Sequence, residues 1–288
     1  MARTNPILPF LAAMAGICTF SMMDAMMKGA SIAAGVYSAL LLRCTFGSLL
    51  MLPVWLLSGA RWPALKVLQV HVLRSAVVAG MALLFFWALV RLPLAEAIAL
   101  SFIAPLIALY LAAVLLGESI QTEAVVASLL GLSGVIIIVA ARLGGNTLDE
   151  QSGWAIGAVL ASAVLYAWNL ILQRQQAQIA KPQEIALFQN LLVAAILSLA
   201  APWLLHWPGN AALRDIALAA ALAGASLLLL SWAYARAEAQ ALVPVEYTGF
   251  IWAALFGWLK FGEQITWATL AGVVLIVIGS WIAARRAA

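Results

Sequence analysis

Apolar residues run almost without interruption along this chain, and polar ones collect in short clusters between runs of about twenty residues. A helix needs roughly 20 mostly apolar residues to cross a bilayer. On that rule ten segments stand out: 7–28, 36–57, 70–90, 93–116, 122–142, 153–174, 185–206, 213–236, 243–260 and 265–284. Turn and charge signals separate them, among them SGARWP after the second, RLGGNTLDEQSG after the fifth and WPGNAALRD after the seventh. The runs are continuously apolar rather than alternating, which excludes a β-barrel. The first run is too long for a signal-peptide core and lacks a cleavage site, so it reads as a retained span. The pattern therefore predicts an all-α membrane protein with ten transmembrane helices.

The spans fall into two similar sets. The fourth ends VLLGESIQT and the ninth LKFGEQIT; ASLLG (127–131) opens a run ending AAR, and ATLAG (268–272) opens one ending AARR. The offset is about 140 to 145 residues, half the chain. This predicts two five-helix repeats, 1–145 and 146–288. Five is odd, so the second copy enters the membrane from the opposite face. Inverted repeats of this kind place a substrate site at their interface, near the bilayer midplane.

Composition and charge narrow the class. The chain is 66% hydrophobic and 9% charged, against roughly a quarter charged in soluble domains. Its net charge of +4 reads as basic loop ends of a membrane protein, not as a nucleic-acid surface. Nine Lys and Arg residues fall on the side that holds both termini and five on the other, which places both termini in the cytoplasm. Cys18 and Cys44 lie in apolar runs with no CxxC spacing, and no HExxH, P-loop or GxSxG motif occurs. No metal, cofactor or enzymatic chemistry is expected.

Polar groups inside spans are expensive and mark pathways or pairs. Asp24 is the deepest carboxylate. Lys28 lies one turn on and can pair with it or reach the membrane edge. Arg43 lies roughly 10 Å into the second span, at Asp24's depth. The two form a structural pair, or Asp24 acts on substrate or protons while Arg43 holds a substrate carboxylate. Pro105 cannot donate to the Ser101 carbonyl, which either simply bends the helix or frees that oxygen and the Ser101 hydroxyl to line a cavity, with Phe102 adjacent to stack on an apolar ligand. Ser162, Tyr166, Asn169 and Gln173 share one face of the sixth span, with Trp168 beside it. That stripe either bonds a neighbouring helix or lines a pathway.

In the ninth span Gly249, Ala253 and Gly257 form a small-residue packing face, and Trp252 is core filler or cavity wall. Glu246 and Tyr247, beyond Pro244, stand at a mouth or gate. Trp55, Trp62, Trp154, Trp203, Trp207, Trp267 and Trp281 lie near span ends, as interfacial anchors do. Glu118 and Glu263 suit capping or loop contacts, and the glycines of spans five and ten suit peripheral packing or a dimer contact.

The segments LLFFWALVRLPLAEAIALSFIAPLIALYLAAVLLGE (83–118) and VPVEYTGFIWAALFGWLKFGE (243–263), with Lys28 followed by Arg43, resemble the EamA-type transporters of the drug/metabolite transporter superfamily. Within it the chain is most similar to bacterial aromatic amino-acid exporters of the YddG type. The resemblance covers nearly the whole chain. It implies an inner-membrane exporter with ten helices around a central cavity, while the family's substrates range widely. The substrate expected here is an amino acid or similar small metabolite, and the chain is expected to act as a monomer or homodimer. Substrate-binding candidates are then Arg43, Ser101, Phe102, Tyr166, Trp168, Asn169 and Trp252; coupling or gating candidates are Asp24, Lys28, Pro105, Glu246 and Tyr247. Proton coupling would rest on Asp24 or Glu246. The alternatives are a proton-coupled or facilitative carrier for another metabolite and a channel-like permease, which saturation and counterflow in a flux assay distinguish.

Overall fold

A computed structural model describes residues 7–59, 61–104, 106–108, 110–111, 122–143, 150–234, 236, 245 and 248–286. Among them there is no strand. The helices are α1 (Ile7–Ala34), α2 (Val36–Leu57), α3 (Leu65–Leu89), α4 (Leu94–Ser101), α5 (Thr122–Leu143), α6 (Glu150–Ala177), α7 (Pro182–Ser198), α8 (Asn210–Tyr234), α9 (Thr248–Phe261) and α10 (Trp267–Arg286). Stretches of α1, α2, α3, α6 and α8, 21 to 27 residues each, are long and apolar enough to cross a bilayer. They match the first, second, third, sixth and eighth segments expected from the sequence.

Local chemistry sets the breaks. Gly35 alone joins α1 to α2, at φ 81°, a conformation open to glycine because it has no Cβ. Pro182 opens α7 at its first helical position, where its missing N–H costs nothing. Thr266 caps α10, its Oγ1 accepting the Thr269 N–H at 3.1 Å. Two expected spans are interrupted. The segment expected to run to 206 breaks after Ser198 and resumes as one turn, Ala201–Leu204, because Pro202 has no N–H to give the Ser198 carbonyl and its ring crowds that oxygen. The segment expected over 93–116 leaves α-helical geometry after Ser101, where Phe102 and Ile103 donate three residues back, to Ala99 and Leu100.

The main pairings are α1 with α8, α3 with α6, α2 with α7, α5 with α10, α1 with α9, α1 with α2, α4 with α6, α4 with α9, α2 with α8 and α3 with α7. One buried apolar cluster draws residues from all ten helices, from Met23 and Leu40 through Val78, Leu100, Val135 and Val159 to Val193, Ile216, Phe250 and Val273. Outward faces carry large apolar side chains, among them Leu57, Leu129 and Ile251, and tryptophans stand exposed at helix ends, including Trp62, Trp154, Trp203 and Trp267. An apolar exterior with aromatic ends is a surface made for lipid.

Small residues let α5 and α10 touch. A Cβ on Gly134 would lie 2.4 Å from the Gly272 carbonyl oxygen, and one on Gly272 would lie 2.6 Å from that of Gly134. Gly134 and Gly272, expected to serve peripheral packing or a dimer, thus meet each other within one chain, while a Cβ on Gly131 would run into Leu106. A Cβ on Gly249 would meet Ile17 and Ser21 of α1 in ordinary contact.

Candidate functional site

Helix α1 carries two charges on its inner side, and they have different fates. Lys28 is 5% exposed. Its Nζ donates to the Leu92 carbonyl and to Glu263 Oε1, and sits 5.2 Å from the Phe261 ring centroid. The other Glu263 oxygen accepts the Leu94 N–H at 2.7 Å, which caps α4. Lys28 therefore neither snorkels nor pairs with Asp24. Glu263 outcompetes Asp24 because the α9–α10 turn, with Gly262 at φ 67°, brings the carboxylate within reach of Lys28 and the α4 N-terminus together.

Asp24 is 2% exposed, and its Oδ2 has no hydrogen-bond partner. Arg43 is the charge whose field reaches it. The expected Asp24–Arg43 ion pair is nevertheless not formed: the pairs within 4.0 Å among the described residues are Lys28–Glu263, His71–Glu184 and Lys260–Asp215. Arg43 Nε is buried without a partner, and Nη2 makes only a 3.4 Å contact to Cys44 Sγ. Arg43 is half-exposed, on the face of α2 that also carries Leu50 and Leu57.

The polar stripe of α6 meets α3. Ser162 Oγ donates to the Met81 carbonyl at 2.9 Å. Arg74 Nε donates to Asn169 Oδ1 at 2.9 Å, Nη2 to Gln173 Oε1 at 3.1 Å, and Nη1 to Gln176 Oε1. Gln176 Nε2 bonds His71 Nδ1, and His71 Nε2 lies 3.1 Å from Glu184 Oε1 on α7. The guanidinium only donates, so it meets Gln176 through oxygen. Gln176 then gives its amide hydrogen to Nδ1, and the imidazole proton resides on Nε2, facing Glu184. Phe188 stacks on the His71 ring at 5.2 Å. This chain of six side chains ends at a cavity of about 740 Å³ between the end of α2 and the α6–α7 turn, lined by Trp55, Arg61, Lys181 and Glu184 among others.

The candidates separate accordingly. Asn169 belongs to the α3–α6 seam. Tyr166, 37% exposed, lies opposite the outward stripe of α6 and faces inward. Trp168 falls on that outward stripe with Trp154, Gly157, Ala161 and Val164, toward lipid. The Ser101 hydroxyl is not available to a ligand: it donates to the Ala97 carbonyl at 2.9 Å. Phe102 packs half-buried against the core. Trp252 is half-buried, with a buried Nε1 that lacks a partner. Pro105, Glu246, Tyr247 and Glu118 lie outside the described residues.

His71, Arg74 and Gln176 were not singled out from the sequence as site residues. The repeat carried the signal: a 145-residue offset takes Asp24 to Asn169 and Lys28 to Gln173, so the polar positions of the first span foretell the stripe of the sixth.

The family profile described as the EamA-like transporter family matches residues 7–140 and again residues 153–285. A pseudopaline exporter of Pseudomonas aeruginosa, CntI, is 30% identical over 267 residues, 90% of each chain. An S-adenosylmethionine uptake transporter of Rickettsia prowazekii is 25% identical over 279 residues, 91% of this chain and 90% of that one. A riboflavin transporter of Rhizobium johnstonii is 27% identical over 201 residues, 69% and 64% of the two chains. A solved crystal structure superposes with a TM-score of 0.68 at 22% identity, covering 97% of this chain and 98% of the other.

Proposed function

The chain belongs to the EamA-like transporter family and is a membrane transporter of small molecules, and on that premise we propose that it exports amino acids, aromatic ones included, across a bacterial inner membrane. It does so by alternating access. Ten spans form two inverted repeats, 1–145 and 146–288, with both termini in the cytoplasm, and the repeats rock about a site between them. YddG-type exporters are the subfamily it resembles in sequence.

The observation that carries this reading is a symmetry of contacts. Exchanging each helix with the one five places away turns α1–α8 into α6–α3, α1–α9 into α6–α4 and α2–α8 into α7–α3, and leaves α2–α7, α4–α9 and α5–α10 unchanged; each of these pairs packs. Hydrogen bonds follow the same exchange. Ser226 of α8 donates to the Gly16 carbonyl of α1 at 2.8 Å, and Ser162 of α6 donates to that of Met81 on α3 at 2.9 Å. Residue 162 is offset from 16 by 146, and 226 from 81 by 145. The family profile matching twice supports the same division. Export is supported by the name of the CntI relative.

The test is counterflow in proteoliposomes. Vesicles preloaded with unlabelled amino acid should accumulate the labelled one transiently above equilibrium, with saturation. Flux that rises linearly with concentration and shows no counterflow would mean a channel instead.

A further inference from the structure

The two repeats match closely enough that their differences are informative. Asn169 and its counterpart Asp24 occupy the same place in each copy. Asn169 is satisfied by Arg74 of α3. The counterpart of Arg74, by the same 145-residue offset, is Ala219 of α8, which has no polar group to offer. Asp24 is thus the copy left without its donor, and it is the copy with an ionisable side chain.

Three buried polar atoms without partners lie at one level on three helices: Asp24 Oδ2 on α1, Arg43 Nε on α2 and Trp252 Nε1 on α9. Asp24 is eleven residues before the Gly35 turn and Arg43 eight after it, or about 16 and 12 Å from that turn. Helices α1 and α9 run parallel, since Ser21 meets Gly249 and Lys28 meets Glu263. Asp24 and Trp252 each follow the Ser21–Gly249 contact by three residues. One acceptor and two donors thus remain unmatched at a shared depth, with α9 contributed by the second repeat. Buried polar atoms are almost always satisfied in folded proteins, and ionisable residues in spans mark functional sites.

We propose that Asp24 and Arg43 are the two poles of a zwitterion site: the Asp24 carboxylate accepts hydrogen bonds from a substrate ammonium, and the Arg43 guanidinium donates to the carboxylate of the same molecule. The two stand beyond salt-bridge distance, so neither is the other's ion-pair partner, and the substrate would bridge them. The ligand class is a free α-amino acid with both ends uncapped. This inference rests on the transport reading above and adds which residues sense which end.

The test uses full-length protein in proteoliposomes. Counterflow is measured for a panel of free aromatic and aliphatic amino acids, and the best-transported one is competed against its own N-acetyl and methyl-ester derivatives. Wild type should lose at least tenfold in apparent affinity for either derivative. In Asp24→Asn the free amino acid should weaken at least tenfold while the N-acetyl derivative is unchanged. In Arg43→Gln the same holds for the methyl ester. Asp24→Glu and Arg43→Lys keep the charges and should retain discrimination, so they serve if the neutral variants do not fold. The proposal is overturned if capped and free compounds compete equally in wild type. It is also overturned if each neutral variant weakens both alike, or if another small solute exchanges while no amino acid does. A chain that exchanges no solute at all overturns the transport reading and this inference with it.

Discussion

Lys28 and Glu263, 235 residues apart, are joined in a buried ion pair that ties α1 to the α9–α10 turn and, through the second carboxylate oxygen, to the first N–H of α4. Breaking one side of a buried pair leaves an uncompensated charge, worth about 3–5 kcal/mol. Lys28→Met should therefore lower the melting temperature sharply in detergent. Glu263→Gln, which still offers an oxygen to Leu94 N–H, should lose less. Additive losses in the double variant would show that the pair does not couple.

Arg74 is a three-armed donor to Asn169, Gln173 and Gln176. An ammonium cannot reproduce that planar fork. Arg74→Lys should destabilise by about 2 kcal/mol, close to the loss of a charged group's hydrogen bonds. Gln176→Met should match or exceed it, because both Arg74 and His71 lose a partner. Thermal unfolding of the two variants, side by side, checks the order.

The α5–α10 contact admits no side chain. Gly134→Ala and Gly272→Ala each drive a methyl into the facing carbonyl, and overpacking of this kind costs about 1–3 kcal/mol. Gly157→Ala, on the open outward face of α6 with nothing near its Cβ, should leave stability unchanged or raise it slightly. A melting comparison in which all three behave alike would contradict the crossing.

Tyr166 and Trp168 differ by two positions and face opposite ways. Tyr166→Ala should change the order of preference among amino acids in the counterflow panel. Trp168→Ala, facing lipid, should leave that order as it is. Equal effects from the two, at equal protein incorporation, would remove Tyr166 from the interior surface.

Hydropathy made the apolar helices legible, because a span's length and greasiness are properties of consecutive residues. It did not show the interruption after Ser198, four residues before Pro202, whereas Pro105 marked the one after Ser101. Asp24 was legible as unusual but not in its partnership. Sequence spacing favoured Lys28 and hairpin depth favoured Arg43, while the residue that captures Lys28 lies in the other half of the chain. The stripe of α6 was legible as a face; that it meets Arg74, rather than water, depends on which helix packs there. Trp168 was placed beside the stripe by sequence proximity, although 100° per residue turns it away.

The paired serine bonds of Ser162 and Ser226 have a consequence for how duplicated chains diverge. In the α3–α6 seam the hydroxyl comes from α6, the counterpart of α1; in the α1–α8 seam it comes from α8, the counterpart of α3. Every helical residue carries a carbonyl, so a hydroxyl on either side of a seam closes the same gap. Substitutions can move the donor across the interface while the geometry stays fixed. At a 145-residue offset the letters set Ser162 opposite Ile17 and Ser226 opposite Met81, two mismatches across seams that each hold a serine-to-carbonyl bond.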